Sequence, residues 1–551
     1  MSLHPYWTLT LVMLVVLGPF LTKPFNIDDP LFIWAAQNIQ AHPTDPYGFQ
    51  VEWGWTQFSM WKVTENPPLV CYYLALAAGV FGWSELALHT ALLVPVLAAV
   101  LGTYRLARHF CSHPMLAALA TLSTPVFLVS SLTVMCDMTM LAFWIWAVVF
   151  WVEGTEQDKI GKLFVAAGLI TLAELTKYYG ACLVPLLAAY SLISRRPVRH
   201  WAQCLLLPLA ALLVYQLITQ ALYGSSLLHN AMEYASFSKN LFGFSKAQTG
   251  LTALAFTGGC AAVAAIFAPL LWRTRTLTIV ISTSVVATAV LFMGETIWNK
   301  YSLIQGATRT AVEIQTVVWA AGGLSLLLLA VTDLRQRRDP RSWLLALWLL
   351  GTFVFVALLN WTINARSILP LTPAVGILIV RRLEITDILK NGPWRRSIMF
   401  SVAASLTLAM AVLQADYLVA VAVRQNAREV CAEYRHRVET LWFQGHWGFQ
   451  YYMSTAGASP LDIRRSALKP GDALVVPANN TNIRPLDPRA ADLVEIYKMS
   501  GPWLLTTCDQ RMGSGFYASV LGPLPFAFGS VPPEMVSVFI LKSLPQPIAP
   551  N

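Results

Sequence analysis

WTLTLVMLVVLGPFL (7–21) runs straight into TKPFNIDDPLFIWA (22–35), and the reading of that junction governs the rest of the chain. The uncharged apolar run reads as a membrane-spanning helix, a little short of the usual ~20 residues. No Lys or Arg precedes it and no small-x-small cleavage site follows, so it reads as an uncleaved first span, not a signal peptide. Two adjacent acids, Asp28 and Asp29, then stand where the chain leaves the apolar phase. Charge there is costly, so its position is informative.

Composition agrees with a membrane protein. Of 551 residues, 56% are hydrophobic and 12% charged, with a mean hydropathy of +0.56. Soluble domains carry about 25% charged residues. Twenty Trp and eighteen Tyr suit a chain with two membrane interfaces to dress. The net charge of +9 comes from short Lys/Arg clusters between apolar runs, and no nucleic-acid-binding motif accompanies it. No nucleotide-binding glycine motif is present either.

Spanning runs are expected near 5–22, 86–106, 114–132, 138–152, 161–176, 178–194, 200–222, 250–272, 276–293, 311–332, 342–361, 367–381 and 396–422. Run 67–82 is ambiguous. If it does not cross, the loops at 105–113, 153–162, 195–200, 273–275, 333–341 and 381–396 share one side and hold about 18 Lys and Arg, against about 8 opposite. The positive-inside rule puts that set in the cytoplasm. Pro67-Pro68 then opens a short helix that dips into the outer leaflet or lies along it, and Lys23 outside is a mild violation.

The expected fold is mainly α: a polytopic membrane protein with about 13 transmembrane helices over 1–422, an outer segment 23–85 with interfacial helices, and a soluble extracytoplasmic α/β domain over 423–551. Strand alternation is visible in 472–477, 495–499 and 536–542. Cys431 and Cys508 in that tail are candidates to pair; the other cysteines read as small apolar side chains.

Charged residues at the outer ends of the runs form the candidate site. Asp28-Asp29 and Asp137 share a side and depth; read alone, each is a helix cap. A carboxylate at a lipid–water boundary is also a good base for an acceptor hydroxyl or amine. Lys177 and Arg366 lie at the same face; read alone, each snorkels to headgroups. Positive charge there would stabilise a phosphate leaving group. Glu174, one turn before Lys177, is spaced to pair with it. Asn66, Glu65 and Glu85 are supporting candidates in the outer segment, and His229, Glu233 and Tyr234 lie in a loop that an acceptor could approach.

The order of motifs carries a resemblance: IDDPLF (27–32), TENPPLVCYY (64–73), GWSELAL (82–88), YRLARHF (104–110), VMCDMTM (134–140), LAELTKYYG (172–180) and NARSILPLTP (364–373). This resembles the protein mannosyltransferase and aminoarabinose transferase superfamily of GT-C membrane glycosyltransferases, family 39-like. The resemblance covers roughly 5–380 and extends weakly to GHWGFQYYM (445–453). It implies single-displacement transfer of a monosaccharide from a polyprenyl-phosphate carrier to an extracytoplasmic lipid, glycan or protein, in a bacterial cytoplasmic membrane. It makes Asp28 the catalytic base, with Asp29 and Asp137 beside it, and Lys177 and Arg366 the holders of the donor phosphate. The family commonly has His or Lys before its Pro-Pro pair, where this chain has Asn66. No cofactor is required; a divalent ion is compatible with carboxylates and a phosphate but not demanded. A transporter or lipid flippase remains the alternative class, although no internal repeat supports it.

Overall fold

The computed structural model describes residues 4–64, 66–292, 295–386, 389 and 392–542. It is mainly helical, and over its described residues each expected spanning run is helical, whole or broken. Among the described residues, seven helices are long and apolar enough to cross a membrane alone, from Glu85–Phe110 to Trp394–Tyr434. An eighth candidate is the pair Lys246–Cys260 and Val263–Leu271, bent by 85°. The other runs form shorter apolar helices, among them Pro5–Leu17, Ile160–Thr176 and Thr372–Ile385.

The breaks have local causes. Run 114–132 divides into Pro114–Leu122 and Pro125–Ser130 because Pro125 cannot continue the first helix. The chain then turns through 131–136, buried throughout, before Asp137–Gln157 begins. Irregular backbone at membrane depth is tolerated only when protein surrounds it. Gly258 and Gly323 allow Lys246–Cys260 and Gly306–Arg337 to cross backbone to backbone: a Cβ on Gly258 would fall 1.8 Å from the Trp319 carbonyl.

The ambiguous run is the helix Leu69–Phe81. Its 13 residues rise about 20 Å, short of the ~30 Å hydrocarbon core. Gln40 Nε2 donates to its Ala75 carbonyl at 2.8 Å, so it lies along Asp29–Ala41. A small hairpin, Gln50–Glu52 with Gln57–Ser59, completes the outer segment.

The helix Gly392–Tyr434 runs 43 residues, through position 422 and into the tail. A five-stranded sheet follows, ordered Ser459–Pro460, Leu441–Phe443, Ala473–Pro477, Glu534–Leu541, Ala491–Met499. Its first three strands are parallel and the last two pair antiparallel. The tail packs back on the helical body. Tyr452 Oη accepts from Phe25 N at 2.8 Å, and Gly448 sits where a Cβ would meet the Phe25 carbonyl at 2.1 Å. Cys431 and Cys508 are both free and buried, so the candidate disulfide is absent; Cys431 Sγ instead lies 3.5 Å from Met453 Sδ.

Candidate active site

Four of the five principal candidates meet as two linked ion pairs. Asp28 occupies the N-cap position of Asp29–Ala41, but its carboxylate caps nothing. It turns to Arg366, whose Nη2 donates to Asp28 Oδ2 at 2.9 Å. The preceding residue, Ile27, has φ 49°, a left-handed conformation unfavourable for a β-branched side chain. Such strain persists only where surrounding structure enforces it.

Asp137 opens the helix Asp137–Gln157, whose N-terminal dipole favours a negative charge. Lys177 Nζ donates to its Oδ1 at 2.6 Å. Lys177 reaches there because Ile160–Thr176 ends one residue earlier and Lys177 itself is extended, with φ −153° and ψ 129°. The expected pairing of Glu174 with Lys177 is thereby overturned. The helix that would align an i, i+3 pair stops at Thr176, and both Glu174 oxygens are buried without a hydrogen-bond partner among the described residues.

Arg366 rides on the short helix Ala365–Ile368, whose N-cap Asn364 accepts from Ser367 N at 2.8 Å. Its Nη1 lies 2.7 Å from Met135 Sδ, a weak acceptor, and its Nε has no partner among the described residues. Asp137 Oδ2 is likewise unpartnered. The cluster thus holds unspent donor and acceptor capacity on Arg366 and Asp137.

Asp29 plays a different part from its neighbour. It is fully buried and accepts from Asn26 N at 3.0 Å and Val134 N at 2.8 Å, tying the first acidic segment to the loop that leads to Asp137. Burial pushes its carboxyl up to about 7, with the Lys23 charge and the two amides pulling the other way. The Asn66 backbone carbonyl accepts from Tyr47 Oη at 2.9 Å. Glu65 lies outside the described residues. Glu85 pairs with Arg424 and accepts from Tyr452 Oη, both at 3.0 Å. His446 is buried inside a polar network with Gln450 and Gly54. Among the described residues, no three His, Cys, Asp or Glu side chains gather to hold a metal.

Sequence reasoning missed a third ion pair, beside these two. Lys23 and Asp416 meet at 2.5 Å with no side-chain exposure. Lys23 also donates to the Leu132 carbonyl at 3.0 Å, while Thr507 and Tyr517 donate to Asp416 at 2.8 and 2.9 Å. The signals were present: a lysine on the wrong side of the charge rule, and an acid inside apolar run 396–422. The violation disappears once Lys23 is neutralised in the protein interior.

Residues 65–223 match the model of a family described as dolichyl-phosphate-mannose-protein mannosyltransferase, so the resemblance drawn from motif order has an independent match over that stretch. No curated protein matches the chain. Among solved structures, ArnT from Cupriavidus metallidurans bound to undecaprenyl phosphate is similar at 14% identity, covering 86% of this chain and 92% of that one, with a TM-score of 0.48. The oligosaccharyltransferase of Archaeoglobus fulgidus in its apo form is similar at 13% identity, covering 83% of this chain and 64% of that one, with a TM-score of 0.46. The same archaeal enzyme, AglB, in complex with an inhibitory peptide and a dolichol-phosphate gives equal values.

Proposed function

We propose that this chain is a membrane glycosyltransferase that moves a monosaccharide from a polyprenyl-phosphate carrier to an extracytoplasmic lipid, glycan or protein. The observation that carries the reading is the pair of linked salt bridges, Asp28–Arg366 and Asp137–Lys177, with unspent hydrogen-bonding capacity between them. A buried polar group without a partner costs about 1–3 kcal/mol. An incoming phosphate would supply the acceptor that Arg366 Nε lacks. The family matched over 65–223 is described by a dolichyl-phosphate donor of the same chemical class.

The chemistry follows from the arrangement. The acceptor hydroxyl or amine gives its proton to Asp28 as its oxygen or nitrogen attacks the anomeric carbon. The bond from that carbon to phosphate oxygen breaks with both electrons staying on that oxygen, and the phosphate leaves still carrying its polyprenyl tail. Arg366 and Lys177 balance the charge that develops there. An aspartate oxygen occupied by a guanidinium donor is not free to take the acceptor's proton. A donor phosphate, offering Arg366 a fork of charged oxygens, draws the guanidinium from Asp28 and releases the base only when substrate is present. Asp137 holds Lys177 in place, and Asp29 holds the strained turn that presents Asp28. The helix Leu69–Phe81 walls the cavity beside them. The charge bias of the loops supports placing this end of the bundle, and the tail over 423–551, outside the cytoplasm; a bacterial inner membrane is what the family resemblance implies.

The test is transfer itself. Purified protein in lipid, given a radiolabelled polyprenyl-phosphate sugar and a membrane extract of acceptors, should yield labelled product and free polyprenyl phosphate. Movement of label across the bilayer without cleavage of the sugar–phosphate bond would refute the reading.

A further inference from the structure

The tail segment around Tyr517 sits directly beneath the phosphate-facing guanidinium. Residues 516–519 run alongside 362–365: Ala365 N donates to the Phe516 carbonyl at 2.8 Å, and Ser519 N to the Ile363 carbonyl at 2.7 Å. Ser519 Oγ adds contacts to Ile363 N at 3.2 Å and Thr362 Oγ1 at 3.1 Å. These bonds hold Thr362, Ile363 and Ala365, three of the four residues that precede Arg366. The Tyr517 ring lies under that guanidinium, 5.8 Å from Cζ to the ring centroid. The ring is itself anchored, because Tyr517 Oη donates to both Asp416 oxygens, at 2.9 and 3.0 Å. Asp416 is held by Lys23, and Lys23 by the loop carbonyl of Leu132.

We propose that Tyr517 is a positioning residue for Arg366, and that the C-terminal tail thereby completes the donor-phosphate site on the helical body. The inference rests on the function proposed above. A guanidinium that must leave Asp28 and meet a phosphate needs a fixed pivot. An aromatic face supplies one: it attracts the cation without using any of its N–H donors. The hydroxyl and Asp416 keep the face from rotating away. Arg366 is the group that would touch the donor; Tyr517 acts through it.

The probe pair is a short polyprenyl phosphate and the neutral polyprenol of equal length, whose affinities for the full-length protein give a phosphate-specific ratio. Tyr517→Leu should lower that ratio by about tenfold, with polyprenol binding unchanged. Tyr517→Phe, which keeps the ring, should lose about threefold or less. Ser519→Ala, which loosens the 362–365 backbone without touching the ring, should lose about threefold and serves where the leucine variant folds poorly. The decisive step is a double-mutant cycle. In an Arg366→Ala background, Tyr517→Leu or Ser519→Ala should change the ratio no further. Additive losses, or equal losses for phosphate and polyprenol, overturn the positioning role and leave the proposed function standing. A wild-type protein that binds the two lipids equally overturns both.

Discussion

Two ion-pair systems lie side by side at one end of this bundle, and they differ in how completely they are satisfied. Lys23–Asp416 is sealed: both side chains are inaccessible, and Asp416 takes Lys23, Thr507 and Tyr517. Asp28–Arg366 and Asp137–Lys177 are open: side-chain exposure is 27% and 16% in the first pair and 18% at Lys177, and Arg366 Nε and Asp137 Oδ2 have no protein partner among the described residues. Lys23 and Asp28 are close in sequence, so membrane depth cannot explain the contrast. Saturation does. A charge whose hydrogen bonds are all spent on protein holds the fold, whereas one with bonds to spare is placed to meet a ligand.

That contrast can be broken experimentally. Asp28→Asn should cut transfer by about a thousandfold, in the range expected for loss of a general base, while the melting temperature of the purified protein stays within about 2 °C of wild type. Near-normal turnover of a defined donor would remove Asp28 from the base role. Lys23→Met should do the reverse. It leaves Asp416 buried beside no cation and costs about 3–5 kcal/mol of stability, read as a lower melting temperature. Pairing it with Asp416→Leu should restore part of that loss, since an apolar pair is tolerated where a lone charge is not.

Lys177→Gln should raise the KM for the lipid-phosphate donor by about ten- to a hundredfold, the weight of a charged hydrogen bond, with acceptor KM little changed. An equal effect on both substrates would place Lys177 with the scaffold.

The smallest effect concerns another buried acid, in the tail. Burial pushes the Glu534 carboxyl up to about 7, Asn479 and Arg511 pull it down, and Asp509 adds to the rise. A carboxyl raised in the folded state lends stability that is full below its ordinary value of 4.5 and is lost as pH rises through about 7. Glu534→Gln lacks that dependence. Between pH 4.5 and about 8, the wild type should lose about 2 °C relative to the variant, as thermal melts at stepped pH would show.

Much of this organisation was legible in the sequence because it follows from apolar periodicity and charge placement. Each expected span is helical, several of them broken, and three of the tail strands lie where alternation put them. Asp28, Asp137, Lys177 and Arg366 were legible because charge beside an apolar run needs a reason. Their pairing was not legible. It depends on Lys177 leaving its helix at Thr176, a backbone event that spacing alone misses, and spacing therefore favoured Glu174. Asp29 was read as an orienting or assisting neighbour of Asp28, and the two amides its oxygens accept from were not visible in the sequence. Tyr517 was invisible because it comes from the far end of the chain; no local pattern marks a tail residue that returns to a guanidinium 151 positions earlier.

The helix Gly392–Tyr434, at 43 residues, is a rod of about 65 Å, roughly twice the hydrocarbon thickness. Asp416 is fixed partway along it, so tyrosine and rod share one attachment point. Bilayers of different thickness tilt long helices. On the topology proposed here, such a tilt pivots about that attachment and swings the sheet beyond it, making lipid composition a mechanical input to the site's geometry.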